Sequence, residues 1–218
     1  MKIAGWQAQS LIDYPDQVAA VIFVAGCNWR CHYCHNHQIL DVRQNRLPFG
    51  RVRALLRRRR HLIDAVVVSG GEPTVYPQII PLLKSLRKLG LLIKLDTNGS
   101  RPDIVQSIVE QGLVDYVALD LKAPPAKHLD ITGGALEPVL RTAYYLRTQT
   151  RVTYMFRTTV SPRLDEKDLI IIGQKIVNGA PLWQIQPCRT AGAYSLAKIK
   201  KMAEKLKPYA QYIVIRNT

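Results

Sequence analysis

The chain alternates between short, mostly apolar runs and longer stretches in which apolar residues recur every three or four positions. Val18–Val24, 64–68, Leu91–Leu95, Tyr116–Leu119, Val152–Phe156 and Leu182–Ile185 are runs of the first kind, expected of strands buried on both faces. Between them the helical period predicts helices from Pro48 to about Arg60, then over 77–89, 104–111, 136–148, 165–178 and 195–207. Gly90 and Gly112 stop two of these, and Asp165 opens another. Residues 2–20 read as short extended pieces and Tyr212–Ile215 as a final short strand. No repeat or low-complexity linker divides the chain, so 1–218 reads as one domain.

Strand and helix in alternation predict a parallel sheet with right-handed crossovers. Six such units are too few for the eight-fold barrel, which leaves an open doubly wound sheet or a partial barrel. Periodicity does not choose between them. The polar, glycine-bearing segments, however, all fall at the C-terminal ends of successive strands, where both architectures place their active sites. In order they are the cysteine loop after the first run, Gly70-Gly71-Glu72, Asp96-Thr97-Asn98-Gly99, Asp120-Leu121-Lys122, Arg157 and Gln186. All of them are expected to converge on one mouth.

Composition is that of a folded protein without a membrane-spanning run or a signal-peptide pattern, which predicts a cytoplasmic protein. A net charge of +15, from 31 Lys and Arg against 16 Asp and Glu, leaves an acidic partner such as nucleic acid open. Six arginines fall between Arg51 and Arg60; the simpler reading is a solvated helix face, with Val52, Leu55, Leu56 and Leu62 on its buried side. No zinc finger, RNA-recognition motif or aromatic stacking series supports nucleic acid.

The candidate chemistry begins at Cys27, Cys31 and Cys34. Three thiolates at this spacing can grip one face of a metal centre. Structural zinc and ordinary four-iron clusters take four protein ligands, so three leave a position open. Zinc with His32, His35 or His37 as a fourth ligand is the alternative. Cys188, far off in sequence, reads as an uninvolved, partly buried thiol. Gly70-Gly71-Glu72 and Asp96–Gly99 could each be plain turns, and Asp120 with Lys122 a surface ion pair.

The cysteine motif, with Tyr33 before its last member, resembles the signature of the radical S-adenosylmethionine (SAM) enzymes. Ser10-Leu-Ile-Asp-Tyr-Pro15 and Cys27–Asn36 look like the opening of anaerobic ribonucleotide-reductase activating proteins. Gly70–Thr74, Leu95–Gly99 and Asp120–Lys122 resemble later motifs of the same glycyl-radical-activating group. The resemblance implies a partial (β/α)6 barrel, a [4Fe-4S] cluster on Cys27, Cys31 and Cys34, and SAM cleaved to a 5′-deoxyadenosyl radical. It also implies a partner glycyl-radical enzyme as protein substrate and a flavodoxin or ferredoxin-type electron donor. In that pattern Gly70, Gly71 and Glu72 meet the SAM amino group and Lys122 its carboxylate, and the loop of Tyr33 contacts adenine. Arg157 adds a charged hydrogen bond. Asp120 bonds the ligand or a monovalent cation beside SAM, in which Asp96 shares. His35, Thr97, Asn98 and Gln186 complete the candidate SAM contacts. Two positions depart from the pattern: Asp16 stands where glycine is usual after Tyr-Pro, and His32 where proline is common.

Overall fold

A computed structural model of the protein describes residues 1–40, 47–189 and 192–216. Among these residues eight strands form one sheet in the order of the chain: β1 (Ile3–Ser10), β2 (Ala19–Val24), β3 (Ala65–Gly70), β4 (Leu92–Thr97), β5 (Tyr116–Asp120), β6 (Thr153–Val160), β7 (Ala180–Pro187) and β8 (Ala210–Ile215). From β2 to β8 every pairing is parallel. The order never reverses, and a doubly wound sheet needs a reversal. The sheet is therefore the partial barrel.

Helices α1 (Phe49–Arg59), α2 (Ile79–Arg87), α3 (Pro102–Glu110), α5 (Glu137–Thr148), α6 (Glu166–Ile172) and α7 (Leu196–Glu204) follow successive strands. A shorter α4 (His128–Thr132) lies between β5 and α5. No helix among the described residues is long and apolar enough to cross a membrane.

The two-residue alternation of each strand sorts its side chains into two cores. One face contributes Ala20, Ile22, Val66, Val68, Ile93, Leu95, Val117, Leu119, Phe156 and Trp183 to the large cluster against the helices. Val52 and Leu56 of α1, Leu83 and Leu86 of α2, and Leu169 and Ile172 of α6 meet them there. The other face forms a smaller cluster of Tyr14, Ala19, Val21, Ala65, Val67, Tyr116, Ala118 and Met155. Along this inner face the chemistry changes with height. Alanine, valine and tyrosine come early in the strands, whereas Ser69, Asp96, Asp120, Arg157, Thr159 and Gln186 come late. Buried charges tolerate such a position only when paired.

Several details depart from the sequence reading. Residues 3–10 are a full strand, antiparallel to β2 and broken by two register shifts, where short extended pieces were expected. Its burial pattern alternates only in part, because an edge strand is covered on one side and interrupted by bulges. The helix expected over 165–178 is α-helical only to Ile172 and continues as a π-helical turn over Gly173–Val177. Arg157 lies inside β6, three residues from its end, rather than after it. Gln186 likewise belongs to β7. Helix α1 buries Val52 and Leu56 as expected, but Leu62 is 54% exposed. Asp16 has φ 58°, the left-handed conformation that favours glycine, so the glycine usual at this position answers a backbone requirement. Aspartate is one of the few other residues that adopts it readily.

Candidate active site

The cluster loop follows β2 and is held from three sides. From the β3 side, Gly71 N–H donates to the Val24 carbonyl (2.8 Å) and Glu72 N–H to the Gly26 carbonyl (2.9 Å). Asn36 donates through Nδ2 to the Gly70 carbonyl (3.1 Å), and the Tyr76 hydroxyl to the Ala25 carbonyl (2.6 Å). From the β4 side, Asn98 Nδ2 donates to Asn28 Oδ1 (3.0 Å) and approaches Cys27 Sγ (3.9 Å). The third support is α4. Arg30 N–H donates to the Thr132 carbonyl (3.0 Å), and Trp29 packs edge-on against His128 with ring centroids 5.2 Å apart.

Trp29 is buried, and Gly134 lies so close that a Cβ there would sit 2.0 Å from the indole nitrogen. Sequence reasoning missed this buttress, because five residues are too few to show a helical period. The available signal was punctuation: Pro124-Pro125 before it and Gly133-Gly134 after it. Gly134→Ala should press on Trp29 and cost about 1–3 kcal/mol, as overpacking does. Visible absorbance per chain after anaerobic cluster assembly should fall with it, while far-ultraviolet circular dichroism stays that of the wild type.

Glu72 is the knot between the β3 and β4 loops. It is 1% exposed, and both its oxygens are occupied. Oε1 accepts from the Thr74 N–H (3.0 Å), the Thr74 hydroxyl (2.5 Å) and the Thr97 hydroxyl (2.8 Å), and Oε2 from the Asn98 N–H (2.6 Å). Burial pushes its carboxyl above the usual value, and the Thr74, Asn98 and Thr97 donors oppose that. This carboxylate therefore sets the backbone of the two loops that face the cysteines.

Behind them an ion network crosses three strands. Lys94 Nζ donates to Asp96 Oδ1 (2.5 Å), while Asp96 Oδ2 accepts from Arg157 Nη1 (3.0 Å) and the Ser69 hydroxyl (3.0 Å). Arg157 Nε donates to Asp120 Oδ1 (2.5 Å), and Lys122 Nζ to Asp120 Oδ2 (2.8 Å). Burial alone would raise both carboxyls, but Arg157 with Lys94 holds Asp96, and Arg157 with Lys122 holds Asp120, below the ordinary carboxylate range. Lys122 is disfavoured by burial, yet Asp120 outweighs that and keeps it charged well beyond its usual range.

All of the sequence-predicted site residues, from Cys27 to Gln186, border one cavity of about 300 Å³ at the C-terminal ends of the strands. That volume is within the range of small-molecule sites. Gln186 reaches it from β7, its Nε2 donating to the Thr159 hydroxyl (2.7 Å). Tyr33 is nearly buried, packed with Ala123, Ile131, Leu164 and Cys188, and its hydroxyl approaches the Lys122 carbonyl (3.5 Å). His35 Nε2 accepts from the Arg189 N–H (3.1 Å) and lies 3.9 Å from Cys188 Sγ. Burial, with Arg189 and Lys122 nearby, lowers the His35 pKa, which favours the neutral ring that accepts this bond.

The donor set fits a cluster held by three thiolates. Cys27, Cys31 and Cys34 are free, half-buried and open to the cavity, whereas Cys188 is buried away from it. Among the described residues no three His, Cys, Asp or Glu side chains gather around a single point suited to one ion. A polynuclear cluster does not ask for that, since each thiolate takes its own iron. Burial pushes the Cys27 thiol up to about 11, with the Trp29 N–H on its sulfur (3.4 Å) as the main opposing influence. Cluster binding must therefore displace that proton.

A partial barrel with a three-cysteine loop after its first parallel strand, facing a polar cavity across Gly-Gly-Glu, defines a class. The chain belongs to the radical SAM superfamily, whose family model matches residues 21–174. Its cofactors are accordingly a [4Fe-4S] cluster and SAM.

Among curated relatives, MJ1227 of Methanocaldococcus jannaschii, which carries the name "Putative glycyl-radical enzyme activating enzyme", is 29% identical over 98% of this chain and 95% of its own. The pyruvate formate-lyase-activating enzyme of Streptococcus mutans is 27% identical, over 84% of this chain and 75% of its own. SuiB of Streptococcus suis, solved with its precursor peptide SuiA, superposes with a TM-score of 0.70 at 17% identity. That match spans 91% of this chain and 48% of SuiB, and it speaks to the fold.

Proposed function

We propose that this chain activates a glycyl-radical enzyme by taking a hydrogen atom from a backbone glycine of that partner, and that the partner is an anaerobic ribonucleotide reductase. The observation that carries the reading is the near end-to-end correspondence with an activating-enzyme relative. The Ser10–Pro15 and Cys27–Asn36 motifs support the particular partner.

When bound, the cluster and SAM supply a 5′-deoxyadenosyl radical. Cys27, Cys31 and Cys34 hold the cluster. The backbone of Gly70 and Gly71, set by Glu72, and the Thr97–Asn98 turn present polar groups to the methionine end of SAM. Lys122 meets its carboxylate, while Arg157 and Asp120 order the wall beside it. The loop carrying Tyr33 and His35 borders the adenine, and Gln186 faces the far side of the cavity. A flavodoxin or ferredoxin-type protein delivers the electron.

The test is anaerobic mixing of the reconstituted protein, SAM and reductant with the anaerobic ribonucleotide reductase of the same organism. The expected result is a glycyl-radical doublet on the reductase by electron paramagnetic resonance, with matching 5′-deoxyadenosine, both absent in Cys31→Ala. Formation of 5′-deoxyadenosine without a radical on the reductase or on any other glycyl-radical polypeptide would overturn the activase reading and leave direct modification of RNA, a peptide or a metabolite.

A further inference from the structure

Lys94 is the anomaly of the inner face. It sits on β4, flanked in the sheet by Val67 and Tyr116, with no solvent exposure, and it does not border the cavity. A lysine at such a place costs free energy that a methionine or leucine would not, since a buried ion pair is often no better than well-packed apolar side chains. What Lys94 supplies, and an apolar residue cannot, is a positive charge beneath Asp96.

That charge completes a chain of alternating sign: Lys94, Asp96, Arg157, Asp120, Lys122. Two carboxylates side by side on a cavity wall would ordinarily recruit a cation. Here every carboxylate oxygen already accepts from a side chain of the protein, Oδ1 of Asp96 from Lys94 and the other three from Arg157, Ser69 and Lys122. Burial disfavours the charge on Lys94 and lowers its pKa, and Arg157 adds to this; the Asp96 carboxylate in direct contact with it, and Asp13 further off, oppose that shift and favour the ammonium. An ammonium group resembles a potassium ion in charge and size, and the tether holds it in place at no cost in translational freedom.

We propose that Lys94 is a built-in monovalent cation: its ammonium takes the place of a bound ion beneath Asp96, fixes Asp96 and through it Arg157 and Asp120, and so frees SAM binding from any requirement for a metal cation. Lys94 is a positioning residue, because Asp96 stands between it and the cavity. The inference rests on the reading of this cavity as the SAM site.

The experiment compares reconstituted wild type and Lys94→Met in buffers whose only cation is tetramethylammonium, which is too large for the site, and then titrates ammonium, potassium or sodium. Two quantities are read: the SAM dissociation constant by equilibrium dialysis, and the melting temperature without SAM. Wild type should be indifferent to cation identity in both. Lys94→Met should lose roughly tenfold or more in SAM affinity, the scale of a lost outer-shell partner. It should then regain affinity and melting temperature together as ammonium or potassium is added, saturably and with size preference.

Loss of affinity with no rescue would make Lys94 merely structural, and an unaffected Lys94→Met would overturn the proposal outright. So would wild-type binding that needs added potassium, an arm that stands even if Lys94→Met does not fold. If wild type binds no SAM in any buffer, the assignment of the cavity fails instead. Cation-selective rescue of melting temperature would still separate that failure from failure of the built-in cation.

Discussion

Gly71→Ala should empty the cluster site. A Cβ at this position would lie 1.8 Å from the Gly26 carbonyl oxygen and 2.5 Å from its carbon, and both are backbone atoms with nowhere to rotate. The β3 loop and the residue before Cys27 must therefore separate. Separation breaks the Gly71-to-Val24 and Glu72-to-Gly26 hydrogen bonds that carry the cluster loop on the end of β3. The cost falls among the exceptional single substitutions, on the order of 4–5 kcal/mol, because the clash cannot be relieved by a side-chain rotamer. The parallel ladders lower in the sheet are untouched, so β-sheet content should survive. Iron and sulfide per chain after anaerobic assembly should fall roughly tenfold or more, the scale of losing the support behind metal ligands. Wild-type iron content in Gly71→Ala would mean that the two loops can part without moving the cysteines.

Asp96→Asn should be the most destabilising isosteric change in the barrel interior, at about 3–5 kcal/mol near neutral pH, because it leaves Lys94 and Arg157 without their shared carboxylate. The effect carries a pH signature. The folded pKa of Asp96 is depressed below the unfolded value of about 3.9, so its stabilisation is fully present above that value. It is lost as pH falls toward the folded pKa. Urea unfolding should show a constant gap between wild type and variant from neutral pH down to about pH 5, narrowing in more acid buffers. A gap that persists undiminished at the lowest pH where both proteins fold would show that packing, not charge, sets the cost.

The order of strands and helices was legible because the parallel strands β2 to β6 are largely buried on both faces and so appear as mostly apolar runs. The site was legible for a related reason: parallel strands aim their C-terminal ends one way, so motifs distant in sequence share one mouth. What stayed hidden depends on neighbours in space. Lys94 falls inside a run read as plain buried strand, and nothing local says that its partner Asp96 will lie on the same inner face as Arg157. Glu72 reads as a ligand contact from its motif, yet its oxygens are saturated by Thr74, Thr97 and Asn98, two of which lie a strand away. Helix α1 could be placed, but the 54% exposure of Leu62 could not, since it lies in the turn beyond the last helical residue.

The ladder of charges from Lys94 to Lys122 also constrains how this chain can diverge. Each interior member holds two neighbours, so a change at Asp96, Arg157 or Asp120 creates a deficit that only a second change can cancel. Paths through sequence space that alter the wall of this cavity should therefore run in pairs, a lost carboxylate on β4 or β5 accompanied by a lost cation on β4 or β6. Descendants carrying only one half of such a pair should be rare, even where each residue alone is chemically acceptable.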